Sequence, residues 1–438
     1  MTRLESVVSE AAVLVGVLLP GRSYSGLPLE ELEGLARTAG ARVVGQMTQR
    51  RRAVDATCYL GKGKVDQLRR LASALDADVV IFDNDLTPGQ TRNLEKALGV
   101  KVIDRTELIL DIFASRAKTH EARLAVELAQ LEYSLPRLKR MWTHLSRQKK
   151  GIGLRGPGEK QLETDRRLVE KRINDLRAEL GAIHRRRERE VAARREALTV
   201  SLVGYTNAGK STLLNVLTGA HVKVEDALFA TLDTRTKRWR LPGWGPVLLS
   251  DTVGFIRDLP HHLIASFKAT LEEARQADLL LHVADASNPA VQEQIAEAYK
   301  VLEHIGIEAK DTLLVLNKID ALPDRSRLES LLIRYPNAIA VSARRRAGLT
   351  RLAAAVGEAL SRSFLDLDVE IPLGDGRLMA FLAAHGEVLS KQYGECRVVV
   401  HCRLPERCVG QLHHDGATVR FRQNGHLAAP GSPGAVRD

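Results

Sequence analysis

One nine-residue string constrains this chain more than any other: Gly204, Tyr205, Thr206, Asn207, Ala208, Gly209, Lys210, Ser211, Thr212. It follows Leu198-Thr-Val-Ser-Leu-Val203, a short apolar run that reads as a buried parallel strand. It runs into Leu213-Leu-Asn-Val-Leu217, which reads as a helix. Strand, glycine loop and helix together are the setting in which such a string wraps phosphate. Glycines let backbone N–H groups close on phosphate oxygens, and the helix N-terminus adds its positive end. All nine residues are therefore assigned to phosphate binding. Lys210 is expected to reach the outer phosphates, and the Ser211 hydroxyl to ligate Mg²⁺. The fold class follows: an α/β domain built on a parallel sheet, with the site at the carboxyl ends of its strands.

Three further strings follow in order. Asp251-Thr-Val-Gly254 closes the apolar run Val247–Ser250. Asp251 is placed to hold Mg²⁺ through water, and the Gly254 N–H to sense a terminal phosphate. Between the two strings lies Phe229-Ala-Thr231. Thr231 is the candidate switch threonine, completing the metal shell only with the terminal phosphate present; Thr234 and Thr236 are near enough to compete. Phe229 is assigned to the nucleotide site with it. Lys210, Thr231 and Gly254 form the expected catalytic set.

Asn317-Lys318-Ile-Asp320 ends the run Thr312–Leu316. Asp320 can accept from the N1–H and 2-amino group of guanine; against adenine it would be left unpaired, which is costly when buried. Asn317 is expected to brace the loop, with the Lys318 stem along the base. Ser342-Ala343 closes a later strand, and the Ala343 N–H is expected at the guanine oxygen. Together the strings point to GTP as substrate and GDP as product. Phe255 stands where a water-orienting glutamine is common, so hydrolysis by the chain alone should be slow. His261 and His262 are either helpers or solvated bystanders. Asn207 is either a K⁺ ligand beside the phosphates or an ordinary turn asparagine.

A length of 438 residues allows about three domains. The four cysteines, Cys58, Cys396, Cys402 and Cys408, form no CxxC pair. The last three are read as reduced core thiols, with zinc as the weaker reading. The apolar run Ala11–Leu19 is too short to span a membrane and is flanked by acids, so a cytoplasmic protein without a membrane span is expected.

Charge is concentrated. Residues 137–196 hold 19 Lys or Arg against 9 Asp or Glu, a surplus of 10 out of a chain total of 11. That asymmetry points to nucleic acid. In the same region Leu124, Leu128, Leu131, Leu135, Leu138, Trp142 and Leu145 form one apolar helical seam, with Pro136 expected to kink or break it. Leu162, Val169, Ile173, Leu176, Leu180 and Ile183 form a second seam. An antiparallel helical hairpin follows. Its glycine-rich tip carries Arg147, Lys149, Lys150, Arg155 and Lys160, the expected RNA contacts.

The first 115 residues alternate strand and helix: strands at Ala11–Leu19, Arg42–Gly45, Val79–Asp83 and Val100–Asp104, helices at Leu29–Ala39, Lys64–Leu75 and Gln90–Leu98. Gly61-Lys-Gly-Lys64 reads as a turn with solvated lysines before a phosphate site. The domain plan is thus 1–115 (α/β), 116–197 (basic hairpin), 198–365 (GTPase), 366–425 (small α/β domain with a strand at Cys396–Cys402) and 426–438 (disordered tail).

Phe82-Asp-Asn-Asp-Leu-Thr-Pro88, Val102-Ile-Asp-Arg-Thr-Glu-Leu-Ile-Leu-Asp-Ile-Phe113, the tip through Gln161-Leu-Glu-Thr-Asp-Arg-Arg167, and Asp251-Thr-Val-Gly-Phe-Ile-Arg-Asp-Leu-Pro260 carry a resemblance to the HflX family of ribosome-associated GTPases. It covers roughly residues 10–365. The resemblance implies a monomer that docks on the large ribosomal subunit and its RNA through the hairpin tip. It implies GTP hydrolysis stimulated there, and the splitting or rescue of stalled or idle ribosomes under stress such as heat. It also implies ATP binding by the N-terminal domain. Lys149-Lys150 replaces a glycine pair usual in the family, and Thr234 replaces a usual proline. A ribosome-assembly GTPase and an RNA-binding module with a passive nucleotide are the alternatives.

Overall fold

The computed structural model describes residues 7–20, 28–141, 157–193, 198–220, 228–229, 231, 234–242, 245–257, 273–304, 306–307, 311–362, 364–405, 408–409, 412, 417–423 and 426–427. The N-terminal region alternates β1 (Ala11–Leu18), α1 (Glu30–Thr38), β2 (Arg42–Arg50), α2 (Lys62–Ala74), β3 (Val79–Phe82), α3 (Pro88–Leu98), β4 (Lys101–Asp104) and α4 (Arg105–Arg116). The strands form one parallel sheet in the order β2-β1-β3-β4. Strand β3 is buried at every position, which is why it reads as an unbroken apolar run. Helix α3 starts on a reciprocal cap: Thr87 accepts from the Gln90 N–H while the Gln90 side chain accepts from the Thr87 N–H. Helix α4 follows β4 without a loop because the Asp104 carboxylate accepts from the Glu107 N–H.

Two long helices follow, α5 (His120–Met141) and α6 (Pro157–Ala193). Leu124, Leu128, Ile173, Leu176 and Leu180 bury one shared seam, with Leu131, Leu135, Val169 and Ile183 half-buried along it. Helix α5 continues through Pro136, so the expected break is absent. The second half of α5 is tied to the first sheet. Asp104 accepts from the Tyr133 hydroxyl at 2.8 Å and from Arg137 at 3.0 Å.

The next region contains β5 (Thr199–Val203), α7 (Lys210–Thr218), β6 (Arg235–Leu241), β7 (Gly245–Asp251), β8 (Leu279–Asp285), α8 (Val291–His304), β9 (Thr312–Asn317), α9 (Arg325–Arg334), β10 (Ile339–Ala340) and α10 (Leu349–Ser361). Its sheet runs β10-β9-β8-β5-β7-β6, parallel except for β6 against β7. Chain order reverses beside β5, which places the glycine-rich string at the point where such sheets bind ligands.

The last sheet is antiparallel, in the order β12-β13-β11-β14-β15, built from β11 (Phe364–Pro372), β12 (Glu387–Tyr393), β13 (Arg397–Pro405), β14 (Thr418–Gln423) and β15 (His426–Leu427), with α11 (Gly376–His385) over one face. Cys402 and Cys408 are buried in its core, but Cys396 sits exposed in the turn before β13, so it is no core thiol. Strand β15 pairs with β14 inside the stretch expected to be disordered, and residues 428–438 lie outside the described residues.

One apolar core crosses from the N-terminal region into the second sheet. It joins Leu108, Ile109, Ile112 and Phe113 of α4 and Tyr133 of α5 to Val203, Tyr205, Phe229, Val253, Phe255 and Ile256. Phe113 meets Phe229 edge-on, with ring centroids 4.6 Å apart. Phe113→Ala is expected to cost about 3–5 kcal/mol; urea unfolding followed by circular dichroism measures it.

Candidate functional site

The site is built at the carboxyl ends of β5, β7, β9 and β10. The string after β5 takes backbone conformations that only its own residues suit. Gly204 has φ 139° and Gly209 φ 92°, and a Cβ on Gly204 would lie 2.2 Å from the Val283 carbonyl oxygen. Asn207 is also left-handed, with φ 58°. Lys210 opens α7 and is buried. Its Nζ donates to the Gly204 and Tyr205 carbonyls at 3.0 and 2.8 Å. Burial pushes the ammonium down to about 8, against the pull of Asp251. A phosphate at the mouth of the loop would supply the missing counter-charge.

Ser211, Thr231 and Asp251 converge. The Ser211 hydroxyl donates to Asp251 Oδ2 at 2.5 Å and lies 2.8 Å from Thr231 Oγ1, and the Thr231 hydroxyl donates to the same Oδ2 at 3.1 Å. The competing threonines point elsewhere: Thr234 Oγ1 donates to Glu273 at 2.9 Å and Thr236 faces the same carboxylate. Asp251 is fully buried, and its Oδ1 has no partner among the described residues. Burial raises its carboxyl above the usual range despite Lys210 and the two hydroxyls. Three hard oxygens and an unmatched carboxylate oxygen fit a Mg²⁺ ion, which binds through few protein ligands and shares its shell with phosphate.

The base-reading strings are locked together by one side chain. Asn317 Nδ2 donates to the Ala208 carbonyl at 2.9 Å, and its Oδ1 accepts from the Ala343 N–H at 3.0 Å. The Ala343 N–H, expected at a guanine oxygen, is thus engaged by Asn317 here. Lys318 is left-handed, with φ 61°, and pairs with Asp285 at 2.8 Å. Ser342 donates to Asp320 at 2.5 Å, and this bond holds the Asp320 carboxyl below the usual range. Asp285, at the end of β8, is a residue the sequence reading missed. Its signal was its place at a strand's carboxyl end, in line with Asp251 and Asn317.

Some residues sit differently from expectation. Phe229 is 1% exposed and its ring packs against Phe113, in the same core as Tyr205, Val253 and Phe255. The Tyr205 backbone lines the loop, but its hydroxyl turns toward α1 and donates to Glu31 at 2.5 Å. Phe255 is buried at 2% in the same core. Thr206 keeps its Oγ1 buried without a partner among the described residues. Thr212 continues α7 behind Ser211. Gly254 rests on the loop: a Cβ there would lie 2.8 Å from Thr206 Cα and 2.9 Å from Lys210 Nζ. Arg147, Lys149, Lys150, Arg155, His261 and His262 lie outside the described residues, and Lys160 is placed only as part of α6.

The family descriptions "GTP-binding GTPase N-terminal", "GTP-binding GTPase Middle Region" and "50S ribosome-binding GTPase" match residues 27–114, 116–194 and 199–318. The chain is similar to the GTPase HflX of Magnetococcus marinus, 46% identical over 402 residues, covering 90% of this chain and 93% of that one. It is also similar to the GTPase HflX of Escherichia coli strain K12, 49% identical over 353 residues, covering 80% and 83%. Among solved structures, a GTP-binding protein from the archaeon Sulfolobus solfataricus in complex with GDP aligns over 80% of this chain and 99% of its own, at 24% identity and TM-score 0.43.

Asn317→Ala leaves the Ala208 carbonyl and the Ala343 N–H without their partner. It is expected to weaken guanine-nucleotide binding roughly 10- to 100-fold, read by titration with a fluorescent GDP.

Proposed function

Because the chain belongs to the HflX family of GTPases, we propose that it is a Mg²⁺-dependent, GTP-hydrolysing factor that docks on the large ribosomal subunit and splits or rescues stalled ribosomes under stress such as heat. The match of residues 199–318 to a description of ribosome-binding GTPases supports the partner. The basic surplus between residues 137 and 196 supports RNA as the surface it meets.

The convergence of Lys210, Ser211, Thr231 and Asp251 carries the reaction. Lys210 neutralises charge on the outer phosphates, and the Gly254 N–H aligns the terminal one. Ser211, Thr231 and, through water, Asp251 would hold the Mg²⁺, which supplies further positive charge as the phosphate bond breaks. Asp320 reads guanine, and Asn317 holds the base loop against the phosphate loop. Phe255 offers no group to orient water and is committed to the core, so a partner or another residue must position the attacking water.

GTP hydrolysis, with ATP in parallel, should be slow for the chain alone and rise by at least about tenfold with purified large subunits. Normal GTP binding without that rise would sink the ribosomal reading. Lys210→Ala should abolish the stimulated rate; unchanged release of ribosomes by that variant would favour a passive nucleotide instead.

Asn207 adds a second expectation. It is exposed, on a left-handed backbone within the loop, and its side-chain carbonyl oxygen can hold a K⁺ ion beside the phosphates. Turnover should then be faster in K⁺ than in Na⁺ buffer, and equal rates would rule this out.

A further inference from the structure

At the nucleotide site two buried side-chain oxygens have no hydrogen-bond partner among the described residues, Asp251 Oδ1 and Thr206 Oγ1. The role assigned to Mg²⁺ accounts for the first. The second has no such account. Thr206 is 6% exposed, and a buried hydroxyl left without a partner costs about 1–3 kcal/mol. Valine would fill the same space without that cost. The other hydroxyls nearby are engaged: Tyr205 donates to Glu31, and Ser211 and Thr231 both donate to Asp251.

Its neighbours place this hydroxyl. A Cβ on Gly254 would lie 2.8 Å from Thr206 Cα, 2.8 Å from Thr206 Cγ2 and 2.9 Å from Lys210 Nζ. The threonine side chain and the lysine ammonium thus flank one point beside Gly254. The backbone holds them there. The Thr206 N–H donates to the Phe255 carbonyl at 2.7 Å, and the Phe255 N–H donates to the Gly204 carbonyl at 3.0 Å. Lys210 serves the outer phosphates and the Gly254 N–H the terminal one. A terminal phosphate reached by both must enter between them, and there it meets the Thr206 side chain.

Resting on the reading of this chain as a GTPase, we propose that Thr206 is a catalytic residue whose hydroxyl holds the attacking water against the terminal phosphate, the task Phe255 cannot perform. In that step the water oxygen bonds to the terminal phosphorus. The bond from phosphorus to the bridging oxygen breaks, with its electron pair left on GDP, and the proton lost by water goes to the released phosphate. The Thr206 hydroxyl orients the water and ends the step as it began. A hydroxyl suits this because it accepts from water while donating to a phosphate oxygen, with no change of charge. Its unpartnered burial marks a group kept for a task rather than for packing.

The test compares the full wild-type chain with Thr206→Val, which keeps the shape and removes the hydroxyl, and with Thr206→Ser, which keeps the hydroxyl. Single-turnover GTP hydrolysis is measured with the chain alone and in excess, so that no partner contributes. Binding of GDP and of a non-hydrolysable GTP analogue is measured beside it, with thermal unfolding. Thr206→Val is expected to hydrolyse at least about tenfold more slowly while binding both nucleotides within about twofold of wild type, and Thr206→Ser to keep most of the rate. Without nucleotide, Thr206→Val should unfold at the wild-type temperature or above it. A merely structural role would instead lower stability and weaken both nucleotides together. Hydrolysis by Thr206→Val at the wild-type rate, or a loss of analogue affinity as large as the loss of rate, would overturn the inference while leaving the GTPase reading intact. If Thr206→Val does not fold, Thr206→Ala takes its place under the same criteria. A wild-type chain that binds neither nucleotide would sink that reading, and this inference with it.

Discussion

The edge-on contact between Phe113 and Phe229 ties the stretch before Thr231, whose hydroxyl reaches Asp251, into the core of a neighbouring domain. Phe229 sits two residues before Thr231, and Phe255 follows directly on Gly254; both are buried in the same core as α4 and α5. Burying an aromatic ring is worth about 1.5–3 kcal/mol, comparable to the free energies by which ligands move two-state elements. The loops cannot rearrange at their phosphate-facing ends without the apolar side registering it. In this chain the nucleotide site and the N-terminal domain therefore share one set of packing constraints.

Charge complements that apolar joint. In the Glu31–Asp83–Arg105–Arg257 cluster, Asp83 accepts from Arg105 and from Arg257, each at 2.8 Å, and Arg105 pairs with Glu31. The cluster is costly to desolvate and gives little net stability for it. What such a cluster does give is selectivity of arrangement, because a small displacement leaves a buried carboxylate without its partner. Apolar packing tolerates sliding, whereas a guanidinium held at two oxygens does not. The two together specify one seating of the second sheet against the first.

Much of this architecture was legible beforehand, and the reasons are physical. Val79–Phe82 announced a buried parallel strand because both of its faces are covered. The strings at Gly204, Asp251, Asn317 and Ser342 stood out because each closes an apolar strand, and the structure brings them together at one sheet edge. The two-helix seam was readable from its three-and-four spacing. Other features had no local signature. Asp83 and Arg257 are 174 residues apart, and each alone is an unremarkable charged residue. The packing of the Phe229 ring against Phe113 was not legible, because proximity in sequence to Thr231 says nothing about which way a ring points. Helix α4 was passed over, although Asp104 followed three residues later by Glu107 is an N-cap pattern.

The anchorage of α5 has a mechanical meaning. Its first turns lie in the core shared with Phe229 and Phe255, and Tyr133 and Arg137 are pinned to Asp104. Arg137 lies four residues before the end of α5, so the helix is held near its far end as well as along its earlier turns. Ala122, Val126, Ala129 and Tyr133 fix one side of it to the core over three turns. A helix clamped at so many points does not pivot: a shift of the core carries it bodily, as a rod moves with the block it is bolted to.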